Sequence, residues 1–415
     1  MENDSEEAEF DGPELDGPLL EEILSDEDRD QIPGALPVVS VHENDELEYL
    51  KAIARRTTHR VVLTRRGEDH GSLVELEAER PEFSGRHLVK RWKNAEPILL
   101  PGLLTPELDS LAGSTADYQQ LKSGQGLRDW LAAREARWGP EFELSDEAPL
   151  SPAEERDLET VRLNPRGEYA DVNLWLKTGR LSTFDGDESL RLRISFGKEV
   201  EDDASTDLRG HAAASAFGNC LLPAARAVAS NEMLARTLAK SFGGQAQCSQ
   251  HIVYWNAPNG GARFHHDAFG EPDPSGQRGV VYAQLTGSTL WLALSARALA
   301  QNVATFAEML ADGELRHLRD TLFPGQELVD FITLARDETR AVAELALPGC
   351  GALGKVVDLG PEFTTLLADG GHAVLVKAGD VLLLPNHGYD RTAMHSVFCA
   401  SAEPGEALSS ALRKL

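Results

Sequence analysis

Two histidines and an aspartate stand together in "GARFHHDAFG", residues 261–270. His265 and Asp267 are separated by one residue, and alternate residues of a β-strand point to the same face. Metal-binding and charged side chains are costly on a buried strand unless a partner satisfies them. The spacing therefore predicts that His265 and Asp267 bind a shared metal ion, while His266 points to the other face.

A third ligand is expected on a later strand that returns to the same place. His395, in "AMHSVF", follows "VKAGDVLLLPNHGYDRT", a pattern typical of a strand, a turn and a further strand. His387 lies in the predicted turn, where it should be exposed, and His251 and His372 begin strands without a nearby carboxylate. His395 is therefore the predicted third ligand.

Two imidazoles and one carboxylate form a facial triad, which leaves several coordination positions of the metal open. This arrangement suits Fe(II) that must bind dioxygen and an organic co-substrate together. It suits structural zinc poorly, because such zinc sites use four protein ligands. The simpler interpretation, a hydrogen-bonded histidine beside a surface aspartate, stays open at this point.

The elements that would carry these residues begin near residue 249. Residues 297–346 have helical periodicity and are predicted to form an insert between two of the strands. Many short strands with a helical insert predict a mainly β fold, a barrel-like domain decorated by helices. The predicted strands are "SQHIVYWNA", "GVVYAQLTG", "STLWLALS", "KVVDLG", "HAVLVKAG", "DVLLLPN" and "MHSVFCAS".

The N-terminal half divides by composition. The first 30 residues hold 14 acidic side chains and one basic side chain, so residues 1–33 are predicted to be a disordered acidic tail. Residues 34–140 mix strand and helix patterns and predict an α/β region. Residues 141–170 contain many Pro, Asp and Glu and predict a linker, after which the β domain is expected to span residues 171–415.

The formal net charge of the chain is −28 at pH 7, which disfavours nucleic acid and anionic membranes as partners. A local basic stretch at residues 51–93 is interpreted as a solvated face. There are four cysteines and no C-x-x-C pair, the N-terminus has no apolar core, and no apolar run approaches about 18 residues. These features predict a cytoplasmic protein.

Three segments, "FHHDAFG", "VVYAQLTGSTLWLAL" and "LVKAGDVLLLPNHGYDRTAMHSV", resemble the core of the JmjC/cupin-like Fe(II)- and 2-oxoglutarate-dependent oxygenases. The resemblance covers roughly residues 250–295 and 370–400, and Gln284, Gly287 and Trp291 match the framework of the family's middle strand. It implies a double-stranded β-helix (a cupin or jelly-roll barrel), preceded by the N-terminal α/β region and interrupted by the helical insert.

The same resemblance implies an activity. His265, Asp267 and His395 would be the catalytic Fe(II) ligands. The family couples oxidative decarboxylation of 2-oxoglutarate to hydroxylation of a substrate C–H bond. The substrate would be a protein or peptide side chain or a small molecule, and the helical insert and the N-terminal region would shape its cleft or a homodimer contact.

One position departs from the family pattern. Two residues after the motif glycine, where the family usually has Lys or Arg to pair with the distal carboxylate of 2-oxoglutarate, this chain has Thr289. A hydroxyl can hydrogen-bond to a carboxylate but cannot neutralise it. The predicted co-substrate-binding residues are Thr289, Lys377 and Tyr254, and the other cations considered are Arg263, Arg391 and Arg413.

This departure keeps two further functions open. The chain could be a cupin-like metal-binding or scaffold module that has lost the use of 2-oxoglutarate. It could also be a metal-dependent cupin enzyme that does not use 2-oxoglutarate at all.

Overall fold

The computed structural model describes the chain in ten segments, with gaps between them. The predicted acidic tail falls almost wholly outside these segments, and so do parts of the basic stretch 51–93. No helix within the described part has the length and apolar character of a membrane span. The described residues are 32–39, 60–74, 85–111, 113, 115–124, 126–147, 154–200, 202–203, 206–268 and 276–415.

Antiparallel β-sheets dominate the described part of the chain. The strands are β1 (Arg60–Arg65), β2 (Glu68–Val74), β3 (Ile98–Leu100), β4 (Phe142–Leu144), β5 (Asp157–Pro165), β6 (Leu174–Arg180), β7 (Leu190–Phe196), β8 (Ala246–Asn256), β9 (Gly261–His265), β10 (Gln277–Gln284), β11 (Ser288–Ser295), β12 (Ala373–Lys377), β13 (Val381–Pro385), β14 (Ala393–Cys399) and β15 (Gly405–Lys414). They form a nine-stranded large sheet in the order β3-β13-β10-β15-β8-β7-β6-β5-β4, a small sheet in the order β12-β11-β14-β9, and the hairpin β1-β2.

Helices surround these sheets. They are α1 (Gly85–Lys93), α2 (Leu108–Leu111), α3 (Thr115–Lys122), α4 (Leu127–Ala132), α5 (Glu135–Trp138), α6 (Leu208–Leu221), α7 (Pro223–Ala229), α8 (Glu232–Phe242), α9 (Ala296–Ala311), α10 (Arg316–Leu322), α11 (Glu327–Arg336), α12 (Glu338–Leu345), α13 (Gly354–Val357) and α14 (Glu362–Asp369). The predicted fold class, mainly β with added helices, is confirmed.

The inner faces of the large and small sheets share one apolar cluster. Val280 and Tyr282 of β10 pack there with Trp291 of β11, Val376 of β12 and Val397 of β14, and all five side chains are buried. The two sheets therefore enclose a core between them, as packed sheets do when their inner faces carry alternate apolar residues. The predicted ligands His265 and His395 could meet if both pointed to this inner face.

The outer face of the small sheet is covered by helices. Leu290, Leu292 and Leu294 of β11 point outwards and pack in a second cluster with Phe306 of α9 and Phe363 of α14. A strand that is buried on both faces reads as a continuous apolar run, which explains "STLWLALS". The first of these helices begins where Ser295 accepts a hydrogen bond from the Ala298 N–H at 3.2 Å.

The prediction that residues 141–170 form a linker is wrong. This segment contributes β4 and β5, which pair with each other and extend the large sheet at one end. Val161 and Leu163 of β5 are buried in a third apolar cluster, which also contains Leu192 of β7 and Phe217 of α6, so the local abundance of Pro and acidic residues did not prevent a strand. The same sheet also contains β3, so it crosses the boundary expected between the N-terminal region and the β domain.

The helical insert is longer than predicted, because helices continue from Ala296 to Asp369. The expected strand "KVVDLG" is part of this insert and forms α13 and the turn after it. Val356 and Val357 are buried in the cluster that covers the outer face of the small sheet. Tertiary packing of these two valines therefore overrides their preference for β structure.

One buried histidine makes stability depend on pH. His251 of β8 lies on the outer face of the large sheet, where its Nδ1 is 2.8 Å from the Ser410 hydroxyl, and burial lowers its pKa to about 4. In the unfolded chain, His251 has the ordinary histidine pKa of about 6.5. Between about pH 4 and pH 6.5 the unfolded state therefore binds more protons than the folded state, and stability is lost as the pH falls through this window.

We therefore expect wild-type protein to lose about 2 kcal/mol more than His251→Gln in unfolding free energy between pH 7 and pH 5. Urea unfolding of the metal-free proteins at the two pH values measures this difference. An identical pH dependence in both proteins would show that His251 is not the cause.

Candidate metal centre

His265 and His395 face each other across the ladder between β9 and β14. The two residues are direct partners in this antiparallel pairing, and their ring centroids are 4.2 Å apart at an interplanar angle of 59°. Trp291 of the inner core lies 5.1 Å from the His395 ring, so both histidines are on the inner face of the small sheet. The pairing of two strands, rather than one strand alone, creates the site.

Asp267 completes the cluster of three candidate metal ligands, but from a different position than expected. β9 ends at His265, so Asp267 lies in the segment after the strand and not on its face. Its Oδ2 is nevertheless 3.7 Å from Nε2 of His395, and the candidate ligand atoms of all three residues lie within 4.8 Å of one another. The side chain of Asn386, which the sequence had not indicated, donates to the backbone carbonyl of Asp267 at 3.1 Å and ties this segment to the turn after β13.

The orientation of both imidazoles suits a metal ion. Nδ1 of His265 is 2.7 Å from the carbonyl oxygen of Arg263, and Nδ1 of His395 is 3.4 Å from the carbonyl oxygen of Ala393. A carbonyl only accepts hydrogen bonds, so these contacts favour protonated Nδ1 atoms and leave each Nε2 with its lone pair. Metal-binding histidines are held in this way in proteins.

Burial keeps His395 neutral. Its side chain is 4% exposed, compared with 40% for Asp267. Burial is the main cause that lowers the pKa of His395 to about 3; the neighbouring His265 lowers it further, and Asp267 opposes both. A neutral imidazole is the form that binds metals. The His395 side of the cluster is thus buried, while the carboxylate side reaches the surface.

His266 points away from the cluster, as the spacing predicts. Its Nε2 is 3.2 Å from the carbonyl oxygen of Ala346 in the helical insert, and its Nδ1 accepts from the Ala268 N–H. The ring also packs against the exposed Tyr389 at 5.5 Å.

The three other histidines considered from the sequence, His251, His372 and His387, do not point to this cluster. Nε2 of His387 is 2.9 Å from the carbonyl oxygen of Trp92, and the residue is half-buried, so its expected exposure in a free turn is wrong. His372 is 3.4 Å from the Asn302 side chain, and His251 lies on the outer face of the large sheet.

Thr289 stands where the family that the sequence resembles usually has Lys or Arg. It is fully buried within a polar network. Its hydroxyl donates to Oε1 of Gln284 at 2.8 Å and accepts from Nε1 of Trp291 at 2.9 Å. Tyr282 donates to the same Gln284 oxygen at 2.9 Å and accepts from Nδ2 of Asn256 at 3.3 Å. The Thr289 hydroxyl is therefore already used within the protein.

The prediction that Lys377 joins Thr289 is wrong. In the ladder between β11 and β12, Lys377 pairs with Ser288, whereas Thr289 pairs with Val376. Directly paired residues share a face and successive residues alternate, so Lys377 is on the opposite face of the small sheet from Thr289. Lys377 instead lines an outer cavity of about 610 Å³ together with Ser288 and Ser401.

The three arginines considered as replacements are held elsewhere. Arg263 is exposed and pairs with Glu68 at 3.3 Å, and Arg391 donates to the carbonyl oxygen of Lys93 at 2.9 Å. Arg413 contacts Nε2 of the buried His211 at 2.7 Å, away from the inner core. Tyr254 is half-buried and packs against the apolar cluster between the two sheets, and its role in co-substrate binding stays a prediction.

The chain matches no protein-family model and no curated protein. Among solved structures, it is similar to the non-heme alpha ketoglutarate dependent epimerase SnoN from nogalamycin biosynthesis, with 11% identity, 80% of this chain and 82% of that chain covered, and a TM-score of 0.29. SnoN in complex with Fe3+, alpha ketoglutarate and nogalamycin RO aligns with 13% identity, 80% and 83% coverage, and a TM-score of 0.31.

A third similar structure is an oxidoreductase of the 2OG-Fe(II) oxygenase family from Burkholderia pseudomallei. It aligns with 8% identity, 82% of this chain and 95% of that chain covered, and a TM-score of 0.27. TM-scores this low establish neither a shared fold nor a shared activity. The function of this chain therefore cannot be taken from these structures.

Proposed function

We propose that this protein is a non-haem Fe(II)-dependent oxygenase that uses 2-oxoglutarate as co-substrate. The observation that carries the proposal is the convergence of His265, Asp267 and His395, whose candidate ligand atoms lie within 4.8 Å of one another. We further propose that the large and small sheets form a double-stranded β-helix of the JmjC/cupin type, because their inner faces enclose one core with His265 and His395 on the inner face.

The donor set fits Fe(II). Two imidazoles whose Nδ1 atoms face backbone carbonyls, with each Nε2 left for the metal, and one carboxylate supply three ligands and leave positions open for small molecules. Bound Fe(II) would supply the site where dioxygen is activated as 2-oxoglutarate loses carbon dioxide and a substrate C–H bond is hydroxylated. Burial gives these residues different roles. The buried His395 and the neighbouring Trp291 ring exclude water from the inner side, and the partly exposed Asp267 faces the approach from solvent.

A substrate must approach from the side of Asp267, because His395 closes the site on its inner side. His266, which directly precedes Asp267, is half-buried and packs against the exposed ring of Tyr389. We propose a protein or peptide side chain or a small molecule as the substrate.

One observation favours the alternative, a cupin-like metal-binding module or metal-dependent enzyme that does not use 2-oxoglutarate. The Thr289 hydroxyl is occupied by Gln284 and Trp291, and Lys377 is on the other face of the sheet. A dianion in a buried site normally requires a cation. Under the main proposal the distal carboxylate is therefore bound by residues other than Thr289 and Lys377.

Anaerobic titration with Fe(II), with and without 2-oxoglutarate, tests the proposal. We expect a weak visible charge-transfer band only when both are present, and succinate formation in air without added substrate. Iron binding with neither band nor succinate would instead support the alternative. A chain that binds no Fe(II) would overturn both.

A further inference from the structure

The ladder that carries the two histidines is irregular at this point. His395 pairs with His265, but the next pair joins Val397 to Ala262, so the register shifts between them. A shift of this kind disrupts the regular hydrogen bonds of the two strands. The buried backbone groups near the break, such as the N–H of Phe264, must then find other partners.

Asp358, which follows α13 in the helical insert, supplies one of these partners. Both of its carboxylate oxygens accept from the backbone N–H of Phe264, each at 3.1 Å. Phe264 directly precedes His265 and points to the outer face, while His265 points to the inner face. The contact therefore fixes the backbone of β9 from behind the metal ligand.

Arg65, the last residue of β1, supplies the other partner. Its Nη1 donates to the carbonyl oxygen of Ala262 on β9 and to the Ser396 hydroxyl on β14, both at 2.6 Å. The Ser396 hydroxyl also donates to the Ala262 carbonyl, at 3.2 Å. Ser396 directly follows His395, so this guanidinium joins the two strands beside both histidines.

Arg65 and Asp358 also bind each other. Nη2 of Arg65 donates to Oδ1 of Asp358 at 2.7 Å, and the side chains are 0% and 15% exposed. The guanidinium lies 4.5 Å from the centre of the Phe398 ring, within the apolar cover of the small sheet. Burial lowers the pKa of Arg65, and the Asp358 carboxylate opposes this effect.

A buried ion pair is a poor source of stability, because removing two charges from water costs about as much as their attraction returns. An apolar pair would fit a layer formed by Leu, Phe and Val side chains equally well. The charged pair differs in that it hydrogen-bonds to the backbone or hydroxyl groups of three residues adjoining the ladder break. We propose that the Arg65–Asp358 pair positions His265 and His395 for metal binding by holding β9 and β14 at this break.

This inference rests on the proposed metal centre. Residues that orient metal ligands without touching the metal typically change metal affinity about 10–100-fold when they are replaced. The variants Asp358→Asn and Arg65→Met are therefore expected to bind Co(II) about 10–100-fold more weakly than wild type. A titration followed by the visible absorption of Co(II) measures this affinity, and urea unfolding of the metal-free proteins measures stability.

A second buried ion pair provides the matched control. Lys177 and Asp157, on β6 and β5 of the large sheet, are 2.8 Å apart, with side chains 9% and 3% exposed. Asp157→Asn should reduce stability as Asp358→Asn does, but should bind Co(II) with wild-type affinity. The milder variant Ser396→Ala removes one hydroxyl at the break and should weaken Co(II) binding about 10-fold, even if Arg65→Met does not fold.

The outcomes separate the two proposals. If the wild-type protein binds no Co(II), the proposed metal centre itself fails. If wild type binds Co(II) and Asp358→Asn and Ser396→Ala bind it equally well, the positioning role is overturned while the metal centre stands. A loss of affinity in Asp157→Asn as large as in Asp358→Asn would also overturn it, because the effect would then follow stability alone.

Discussion

Replacement of His395 by alanine is expected to abolish metal binding. The side chain supplies one of three candidate ligands and is the most deeply buried of them. Its loss leaves one imidazole and a half-exposed carboxylate. Because replacing even a residue that only orients a ligand costs about 10–100-fold, we expect Co(II) affinity to fall by more than about 100-fold. The same absorption titration measures it.

His387→Ala is the matched control for this experiment. His387 is a half-buried histidine eight positions before His395 in the chain, but its Nε2 is 2.9 Å from the Trp92 carbonyl oxygen and not directed at the cluster. This variant should bind Co(II) like the wild type. Unchanged affinity in His395→Ala, or a comparable loss in His387→Ala, would mean that the metal ligands have been assigned incorrectly.

Replacement of Trp291 by alanine is expected to cause the largest loss of stability. The residue is 4% exposed, and its ring lies 4.6 Å from Tyr282 and 5.1 Å from His395. Truncation would open a cavity between the two sheets and remove the donor to the Thr289 hydroxyl. We expect the free energy of unfolding to fall by about 3–5 kcal/mol, measured by urea denaturation.

Two variants control for this effect. Trp291→Phe keeps a ring but removes the N–H, so it should lose only about 1–2 kcal/mol. Tyr389 is 49% exposed, so Tyr389→Ala should stay within about 0.5 kcal/mol of wild type. If Trp291→Ala were as stable as Tyr389→Ala, the inner core would not depend on this ring.

Residue type and spacing were enough to indicate the three metal-ligand candidates. The H-x-D pair and the later His395 are recognisable because few other combinations of side chains suit a metal so well. The position of Asp267 beyond the strand was not predictable, because β9 ends where its ladder with β14 ends, at His265. That ladder joins segments about 130 residues apart in the sequence, and no local pattern specifies its register.

The face on which Lys377 lies could not be predicted either. Strand β12 reads as an almost continuous apolar run, because helices cover its outer side and the inner core covers the other. Without alternation between polar and apolar residues, a strand gives no sign of which side chains point inwards. Only the register with β11 places Thr289 and Lys377 on opposite faces.

Arg65 and Asp358 were missed for a related reason. They are 293 positions apart, and each lies in a segment that invites another interpretation. Arg65 falls in the basic stretch interpreted as a solvated face, and Asp358 falls in a segment with a strand-like pattern. A buried arginine at the end of a strand is distinguishable from an exposed one only after the chain has folded around it.

The position of β15 in the large sheet affects how the protein is made. This strand is synthesised after every other strand described here, yet it lies between β8 and β10 in the middle of the sheet. On the ribosome, β8 and β10 therefore wait with open edges until β15 emerges, for a time on the order of ten seconds at ordinary translation rates. Open edges of this kind attract other strands, so nascent chains are most exposed to aggregation during this interval. Production of fewer chains at a time, with abundant chaperones, should therefore increase the soluble yield.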